Sequence, residues 1–433
     1  MDAPADMNSQ SSSTEVSVAA TQKSHFFINR AFALLWTGQT ISEFGSRITR
    51  EGVPLAANLV LGATALQMGL LAALGMLPIL LVSLLAGVWV DRVRRRPILI
   101  ITDVSRALLL LSVPVAALLG VLRIEQLYVV TALVGALTVF FEVAHQSFLP
   151  IIVRREHIVE GNSKLSASSS LAEVGGPALA GVLVQAITAP FAILLDALSF
   201  LASALCIGLI RETEPAPVAE RQQLWRDMRE GLRMVLENPV LRAIALSTST
   251  RSFFGGTFAA LYGLYVIRVL KVTPALFGVL VGMGGVGALL GAFMARPLVR
   301  RCGIGPVLIG STLLSSALLL TTPLATGPQV GVVLLLLFAQ LLGDCAYEVY
   351  IIHSTSLLQM LVPQGSLGRA SASMQFLAGG MVPLGALLAG VVAEAIGMRA
   401  TLLIASLLAF ALSSAWLIFS PVRGLRHLDD KEN

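Results

Sequence analysis

From about residue 31 to residue 420, the chain alternates long apolar stretches with short polar breaks. A helix needs about 20 mostly apolar residues to cross the hydrocarbon core of a bilayer. Twelve stretches have this length, which predicts an all-α, polytopic membrane protein with twelve spans in two halves. The predicted spans are residues 31–59, 65–90, 97–121, 127–153, 166–187, 190–211, 240–268, 274–298, 304–325, 328–358, 370–395 and 398–420.

The longest polar interruption covers residues 211–238 and carries five arginines. It separates two groups of six spans. We therefore predict an N-terminal bundle at 29–211, a central cytoplasmic loop at 212–238 and a C-terminal bundle at 239–421. Residues 1–28 are Ser/Thr-rich and lack the basic start and apolar stretch of a cleaved signal peptide. We expect them to form a disordered cytoplasmic tail, and residues 422–433 to form a second cytoplasmic tail.

Lysine and arginine are distributed unevenly between the two sides of the predicted membrane. The termini and the even-numbered breaks hold 22 of them, whereas the odd-numbered breaks hold six. Basic residues close to span ends remain in the cytoplasm. The distribution therefore predicts a multi-pass protein of the plasma membrane with both termini cytoplasmic.

The composition excludes two broad classes of protein. Charged residues make up 13% of the chain and hydrophobic residues 56%, whereas a soluble domain averages about 25% charged residues. A water-soluble enzyme and a disordered protein are both excluded. The net charge is +5, but the basic residues lie in short loops where they set topology, so we expect no nucleic-acid partner. Three scattered cysteines predict neither a disulfide framework nor a metal site.

The sequence lacks the short motifs of ATP hydrolysis and of common enzymes. It contains no Gly-x-x-x-x-Gly-Lys-Ser/Thr phosphate-binding loop, no His-Glu-x-x-His and no nucleophile elbow. We therefore expect no enzyme activity, no nucleotide and no cofactor.

The two halves resemble repeats of one another. The stretch that begins at Gly87 recurs at Gly291, an offset of 204 residues, and Glu142 and Glu348 match at an offset of 206. Internal duplication of six helices is typical of secondary transporters.

The segment at 87–96 has the pattern Gly-x-x-x-Asp-Arg-x-x-Arg-Arg at the end of the second predicted span. Glycine permits close helix approach, and an Asp–Arg pair across a helix interface can stabilise one conformation over another. The alternative is an ordinary basic loop that only sets topology. A second segment, Gly175-Gly176-Pro177 followed by Gly181, combines small residues with a proline that favours a kink.

The twelve spans in two sixes, the central loop and the segment at 87–96 together resemble the major facilitator superfamily over residues 29–421. Stretches 35–42, 103–110 and 195–200 look like its bacterial macrolide-efflux and enterobactin-exporter branch. The resemblance implies that a cytoplasmic gate is formed by Gly87, Asp91, Arg92, Arg95 and Arg96. The second copy has Ala295 in place of the acid. The resemblance also implies that Gly176, Pro177 and Gly181 form a partial match to the antiporter motif of this superfamily.

Ionisable side chains within predicted spans are costly to insert and therefore face a cavity or a partner. They concentrate in spans one, four, seven and ten, which the resemblance places around a central cavity. Glu43, Arg47, Arg50 and Glu51 follow the spacing of one helical face. Asp344 and Glu348 lie one turn apart, and a proton shared between two such carboxylates relieves their repulsion. The candidate cavity residues are Asp344, Glu348, Glu43, Arg47, Glu142, His145, Arg251 and His353.

Several of these roles have alternatives. Glu43 and Arg47 are expected to form a structural pair on their own helix. Asp103 and Arg106 are expected to brace the gate loop. His145 and His353 are either proton relays or hydrogen-bonded packing residues.

The predicted activity is efflux of an amphipathic small molecule, either drug-like or siderophore-like, by alternating access and driven by proton entry. The expected partners are that substrate and the lipid bilayer, with the protein a monomer. An uncoupled facilitator or lipid flippase of the same fold is the first alternative. A non-transporting membrane receptor or scaffold is the second, and the short central loop disfavours it.

Overall fold

The computed structural model describes residues 29–90, 92–154, 157–211, 214, 224–363 and 366–425. These residues are almost entirely helical, and no β-strand occurs among them. The first half consists of six long helices: α1 (Arg30–Leu59), α2 (Ala65–Val90), α3 (Arg95–Leu118), α4 (Ile124–Ile152), α5 (Ile158–Ile187) and α6 (Ala189–Gly208).

The second half follows a shorter helix and includes two interrupted spans. Its helices are α7 (Leu224–Glu237), α8 (Pro239–Arg268), α9 (Pro274–Cys302), α10 (Ile304–Leu319), α11 (Thr321–Leu324), α12 (Gln329–Leu361), α13 (Leu367–Ile396), α14 (Met398–Leu408) and α15 (Ser414–Ile418). Helices α10 and α11 together form one span. Helices α14 and α15 form another, joined by a π-helical segment at Ala409–Ser413.

The prediction of an all-α membrane protein is confirmed. Each of the twelve predicted spans coincides with a helical segment, and ten segments of the described chain are long and apolar enough to cross a membrane. Helices α1 and α8 are 30 residues long but fall outside that set. Helix α1 carries four charged side chains between Glu43 and Glu51, and α8 carries a run of Ser, Thr and Arg at 247–252.

Two helical segments extend beyond the apolar pattern. Helix α5 begins at Ile158, eight residues before the predicted span, and Lys164 donates to Glu160 at 2.8 Å in this polar turn. Part of the central loop is the helix α7, which packs on α13 through Gly231 and the buried Val235. Hydropathy does not detect either segment, because a polar helical turn is stabilised by backbone hydrogen bonds and ion pairs between its side chains.

In the part of the chain that the structure describes, the two halves share a core at one end of the bundle. The largest buried cluster combines Leu55 of α1 with Leu264 of α8 and Ala389 of α13. At the other end each half has its own cluster, centred on Phe148 in the first half and on Tyr350 in the second. We call the shared end, which carries the loops at 60–64 and 269–273, the closed end. The opposite end is called the open end.

Small residues allow the halves to meet at the closed end. The crossing of α5 with α9 places Gly181 against Gly278, and the crossing of α2 with α13 places Gly69 against Gly390. A Cβ atom at either Gly181 or Gly278 would overlap the backbone of the facing helix. Close backbone approach through glycine is a common way for membrane helices to associate.

Candidate functional site: a two-chambered cavity between the halves

A charged cavity of about 670 Å³ lies between α1 and α5 of the first half and α9 and α12 of the second. Its charged lining consists of Arg47, Arg50, Glu51, Glu173, Asp344 and Glu348. Four carboxylates thus face two guanidinium groups. We call this space the charged chamber.

A second cavity of about 570 Å³ adjoins the charged chamber and shares Arg50, Glu51 and Val281 with it. Most of its lining is apolar, including the side chains of Met68, Leu71, Met76, Phe258 and Phe277. Glu142 and Asp196 add two further carboxylates to its wall. We call this space the apolar chamber. An apolar wall with a few convergent polar groups is typical of small-molecule sites.

Arg47 forms an ion pair across the cavity wall. Its guanidinium lies 2.5 Å from a carboxylate oxygen of Glu173 on α5, and the side chains are 17% and 53% exposed. Gly176 provides the room, because a Cβ there would overlap the Arg47 side chain. The predicted antiporter motif therefore packs against Arg47 at Gly176 and lines the charged chamber at Pro177. Its Pro177 and Gly181 lie at the α5–α9 crossing, where the Pro177 carbonyl faces Gly278.

The expected structural pair of Glu43 with Arg47 is wrong. Glu43 accepts a hydrogen bond from Gln39 at 3.0 Å, and Arg47 pairs with Glu173 instead. The spacing of four residues permits a pair on one helix, but the partner on the neighbouring helix offers a carboxylate directly opposite the guanidinium. The Glu43 carboxylate lies close enough to Glu142 of α4 for their negative charges to repel each other.

Asp344 and Glu348 both line the charged chamber, as their positions in the sequence predicted. Gln340 donates to Asp344 at 2.5 Å. Two glycines of α9 make space for these side chains. A Cβ at Gly284 would overlap the Asp344 carboxylate, and one at Gly291 would lie 2.9 Å from the Glu348 Cβ. The acids of α12 thus occupy notches in the surface of α9.

Arg251 lies behind the cavity wall. Its guanidinium donates to Ser315 at 3.0 Å and stacks over the ring of Tyr347 at 4.0 Å from the centroid. Tyr347 itself lines the charged chamber. Arg251 was predicted to line the cavity, but it lines neither chamber and reaches the charged chamber only through the Tyr347 ring.

The two candidate histidines do not line either chamber. His353 is buried and its Nε2 lies 3.1 Å from the Ala295 carbonyl oxygen, which satisfies one ring nitrogen. His145 stacks on Phe141 with centroids 5.8 Å apart. For His353 the structure favours the packing alternative.

The predicted gate segment is described only in part, since Asp91 lies outside the described residues. Gly87 lies near the end of α2 and Arg92 is exposed. The backbone N–H groups of Arg95 and Arg96 each donate to a carboxylate oxygen of Glu214 at 2.6 Å. The Arg96 guanidinium also donates to the Gly208 carbonyl at 2.6 Å. This contact joins the start of α3 to the end of α6.

Glu214 was not recognised in the sequence, where it is one acid within a polar loop. The start of a helix leaves backbone N–H groups unpaired and carries a partial positive charge, which an acidic side chain compensates. A rule that places acids only in the first turn of the same helix misses a cap supplied from 118 residues away.

Asp103 and Arg106 do not contact Arg92, Arg95 or Arg96. They pair with each other inside the first half, and the Arg106 guanidinium lies between the rings of Phe141 and Phe200. The expected bracing of the gate loop involves Asp91, which lies outside the described residues; within them, the pair packs against α4 and α6.

Hydrogen bonds between the halves concentrate at the closed end. Arg268 of α8 donates to the Asn58 side chain at 2.6 Å and to its carbonyl at 2.9 Å. Thr64 donates to Glu394 of α13 at 2.7 Å. These residues were not predicted to be functional. The position of Arg268 at the end of a span far from the main basic loops is the one hint that the sequence contained.

Two six-helix halves that meet at one end and enclose a charged cavity define a membrane transporter of the major facilitator fold. The chain belongs to the major facilitator family described as Transmembrane secretion effector, whose profile matches residues 24–432. It is a transporter family, so the expectation that this is not an enzyme is confirmed.

Relatives and solved structures agree with this assignment. The chain is 29% identical to the Multidrug efflux pump Tap of Mycolicibacterium fortuitum over 79% of its own length and 85% of that protein. It is 22% identical to Macrolide efflux protein A of Streptococcus pyogenes over 91% of its own length and 97% of that protein. The structure of a bacterial homologue of the iron transporter ferroportin in an inward-facing state superposes with a TM-score of 0.70 at 19% identity, with 90% and 98% covered.

Proposed function

We propose that this protein exports an amphipathic, cationic small molecule from the cell in exchange for entering protons. The relatives named above are a multidrug efflux pump and a macrolide efflux protein, which supports efflux of drug-like compounds. The proton gradient supplies the energy, without a cofactor, and the transporting unit is a monomer.

The observation that carries the proposal is the junction of the two chambers. A molecule that spans them places its charged group beside Glu51 and its apolar body between residues such as Met76 and Phe277. In the charged chamber four carboxylates face two arginines, and this excess of negative charge favours a cation. The apolar chamber supplies the hydrophobic contact that dominates affinity for such molecules.

The unequal ends of the bundle support alternating access. Arg92, Arg300 and Arg423 lie at the open end, together with most other basic residues, so this end faces the cytoplasm by the positive-inside rule. The substrate enters from the cytoplasm, and rocking of the halves then opens the other end. An outward-facing structure with the same ferroportin-homologue description superposes less well, with a TM-score of 0.54.

Asp344 and Glu348 are the groups for which a substrate cation and protons compete. Both line the charged chamber on α12, and no basic side chain of the described residues forms an ion pair with either. Binding of the cation displaces protons from this pair. Protons that enter from outside displace the cation in turn, which couples the two movements in opposite directions.

The test uses proteoliposomes with an imposed pH gradient and a fluorescent probe of lumenal pH. We expect the cationic macrolide erythromycin to dissipate the gradient in a saturable manner, and an uncharged amphiphile of similar size to have no effect. The variant Glu142→Gln removes one carboxylate from the apolar chamber. It should raise the apparent KM for the cation by about tenfold, the value of one modest charged contact.

The double variant Asp344→Asn/Glu348→Gln should still bind an uncharged amphiphile but should lose the protons that this pair carries. If labelled erythromycin equilibrates across wild-type vesicles and the pH gradient is unaffected, the protein is an uncoupled facilitator. If the only labelled species that crosses is a phospholipid, it is a flippase.

A further inference from the structure

A buried acidic cluster lies in the wall of the first half, away from Asp344 and Glu348. Asp103 and Asp196 are each 0% exposed, and Arg106 is 3% exposed. Two carboxylates and a single guanidinium thus lie within an apolar bundle. The cluster is formed by α3 and α6 and is covered by α1 and α4.

The guanidinium is committed to one of the two acids. Arg106 donates to an Asp103 oxygen, donates to Thr138 at 3.3 Å, and lies 4.1 Å from the centroid of the Phe200 ring. Asp196 accepts a hydrogen bond from Ser199 at 2.9 Å through one oxygen. Its second oxygen, Oδ2, is buried and has no hydrogen-bond partner.

Arg106 and Asp103 of α3 both act electrostatically on Asp196. Thr49 of α1 faces Asp196, but its hydroxyl makes no hydrogen bond in this conformation. Glu142 of α4 acts electrostatically on the Arg106 guanidinium. Helix α5 also packs on α6, but none of its described residues lines the apolar chamber beside Asp196. If all three carboxylates are ionised they surround one cation, and an uncompensated buried charge costs several kcal/mol.

We propose that Asp196 binds a proton that the protein moves during transport, at a site separate from the Asp344–Glu348 pair. A proton on Oδ2 neutralises the excess charge and turns an unpaired acceptor into a donor. Asp196 borders the apolar chamber but is not exposed to it in this conformation, so exchange of the proton with the cavity requires a movement of the α1 or α6 wall. The inference rests on the proposed proton-coupled efflux and names a second proton in it.

Helix α1 connects this proton to the substrate cavity. A Cβ at Gly45 would overlap both Asp196 and Ser199, so the α1 backbone lies directly against the carboxyl group. Arg47 and Glu51 on the same helix line the charged chamber. A change of charge at Asp196 therefore acts on the helix that also carries the Arg47–Glu173 pair, which provides a route from protonation to movement of α1.

The decisive measurement is the number of protons exchanged per substrate at zero net flux. Erythromycin gradients are balanced against imposed pH gradients in proteoliposomes, with the membrane potential held at zero by valinomycin and equal potassium. Loss of one coupled proton lowers the balancing substrate gradient by about tenfold per pH unit. We expect Asp196→Asn to show this loss and to retain exchange of labelled for unlabelled substrate. The matched control Glu160→Gln, at an exposed ion pair, should behave as wild type.

An Asp196→Asn protein with the wild-type proton number overturns the inference and leaves the proposed function intact. A wild-type proton number of zero overturns both. If Asp196→Asn does not fold, Ser199→Ala tests the same site, because it removes the hydrogen bond that stabilises the ionised carboxylate. The pH midpoint of transport by Ser199→Ala should then lie above that of wild type, with no change in proton number. An unchanged midpoint contradicts the proposal.

Discussion

Arg268 of the C-terminal half holds Asn58 of the N-terminal half through two hydrogen bonds, one to the side chain and one to the main-chain carbonyl. The contact joins the ends of α8 and α1 at the closed end of the bundle. It exists only while that end is closed, so its energy stabilises the closed form over the open one.

Replacement of Arg268 by Ala should shift the protein toward the form in which this end is open. Hydrogen bonds to a charged group contribute about 1.5–3 kcal/mol, which corresponds to a shift of about tenfold to a hundredfold. Spin labels at positions 60 and 269, which are exposed on opposite halves, would report the distance distribution. Arg399→Ala is the control, since Arg399 bonds to Pro323 within one half. Identical distributions for both variants would contradict the prediction.

The α5–α9 crossing depends on the absence of a side chain at Gly181. In Gly181→Ala the new methyl group meets the Pro274 carbonyl and the Gly278 backbone, neither of which can rotate away. Overpacking of this kind costs about 1–3 kcal/mol. We expect transport to slow by about tenfold or more, with α5 and α9 held apart. Gly255→Ala, where a Cβ meets nothing within 4 Å, should transport normally, and equal loss in both would point to a general folding defect.

The Arg47–Glu173 pair should matter more for transport than for stability. Both side chains are partly exposed to the cavity, and such pairs contribute about 0–1 kcal/mol to folding. Glu173→Gln should therefore leave the unfolding temperature nearly unchanged and lower the rate of substrate export. The charge exchange Arg47→Glu/Glu173→Arg should restore part of that rate. Failure of the exchange, while the single variants are impaired, would show that each charge acts on the substrate separately.

Glu214 should stabilise the start of α3. The variant Glu214→Gln removes the negative charge that accepts both N–H groups and opposes the helix dipole, at a cost of about 0.5–2 kcal/mol. Thermal unfolding in detergent and protease cleavage of the central loop would both detect the loss. Glu237→Gln in the same region is the control. Glu237 is 64% exposed and forms an ion pair with Arg233, so its removal should have less effect.

The helices of this protein could be predicted from the sequence because each span is a local run of apolar residues. The same holds for the family resemblance, which depends on short segments such as 87–96. The limits of that reasoning are visible at α5 and α7, where polar turns are helical. There the helix is stabilised by ion pairs or by packing on α13, and hydropathy registers neither.

The cavity acids were predicted in part. Asp344, Glu348 and Glu142 line the chambers as expected, because an ionisable group within a span has few other places to face. The same rule fails for His353, which satisfies its ring through a backbone carbonyl. It also gives no warning that Asp196 lies close to the Asp103–Arg106 pair, since the two acids are 93 residues apart in the chain.

The sequence by itself determined that the chain crosses a membrane many times, which end carries the basic residues, and which spans contain charge. These properties depend only on the order of residue types along the chain. Only the tertiary structure decided that Arg47 pairs with Glu173, that Glu214 caps α3 and that the closed end is held by Arg268. Each of these contacts depends on how far a helix is rotated about its axis and where it crosses its neighbour. That geometry is fixed by packing of all the helices together, and spacing along one helix does not contain it.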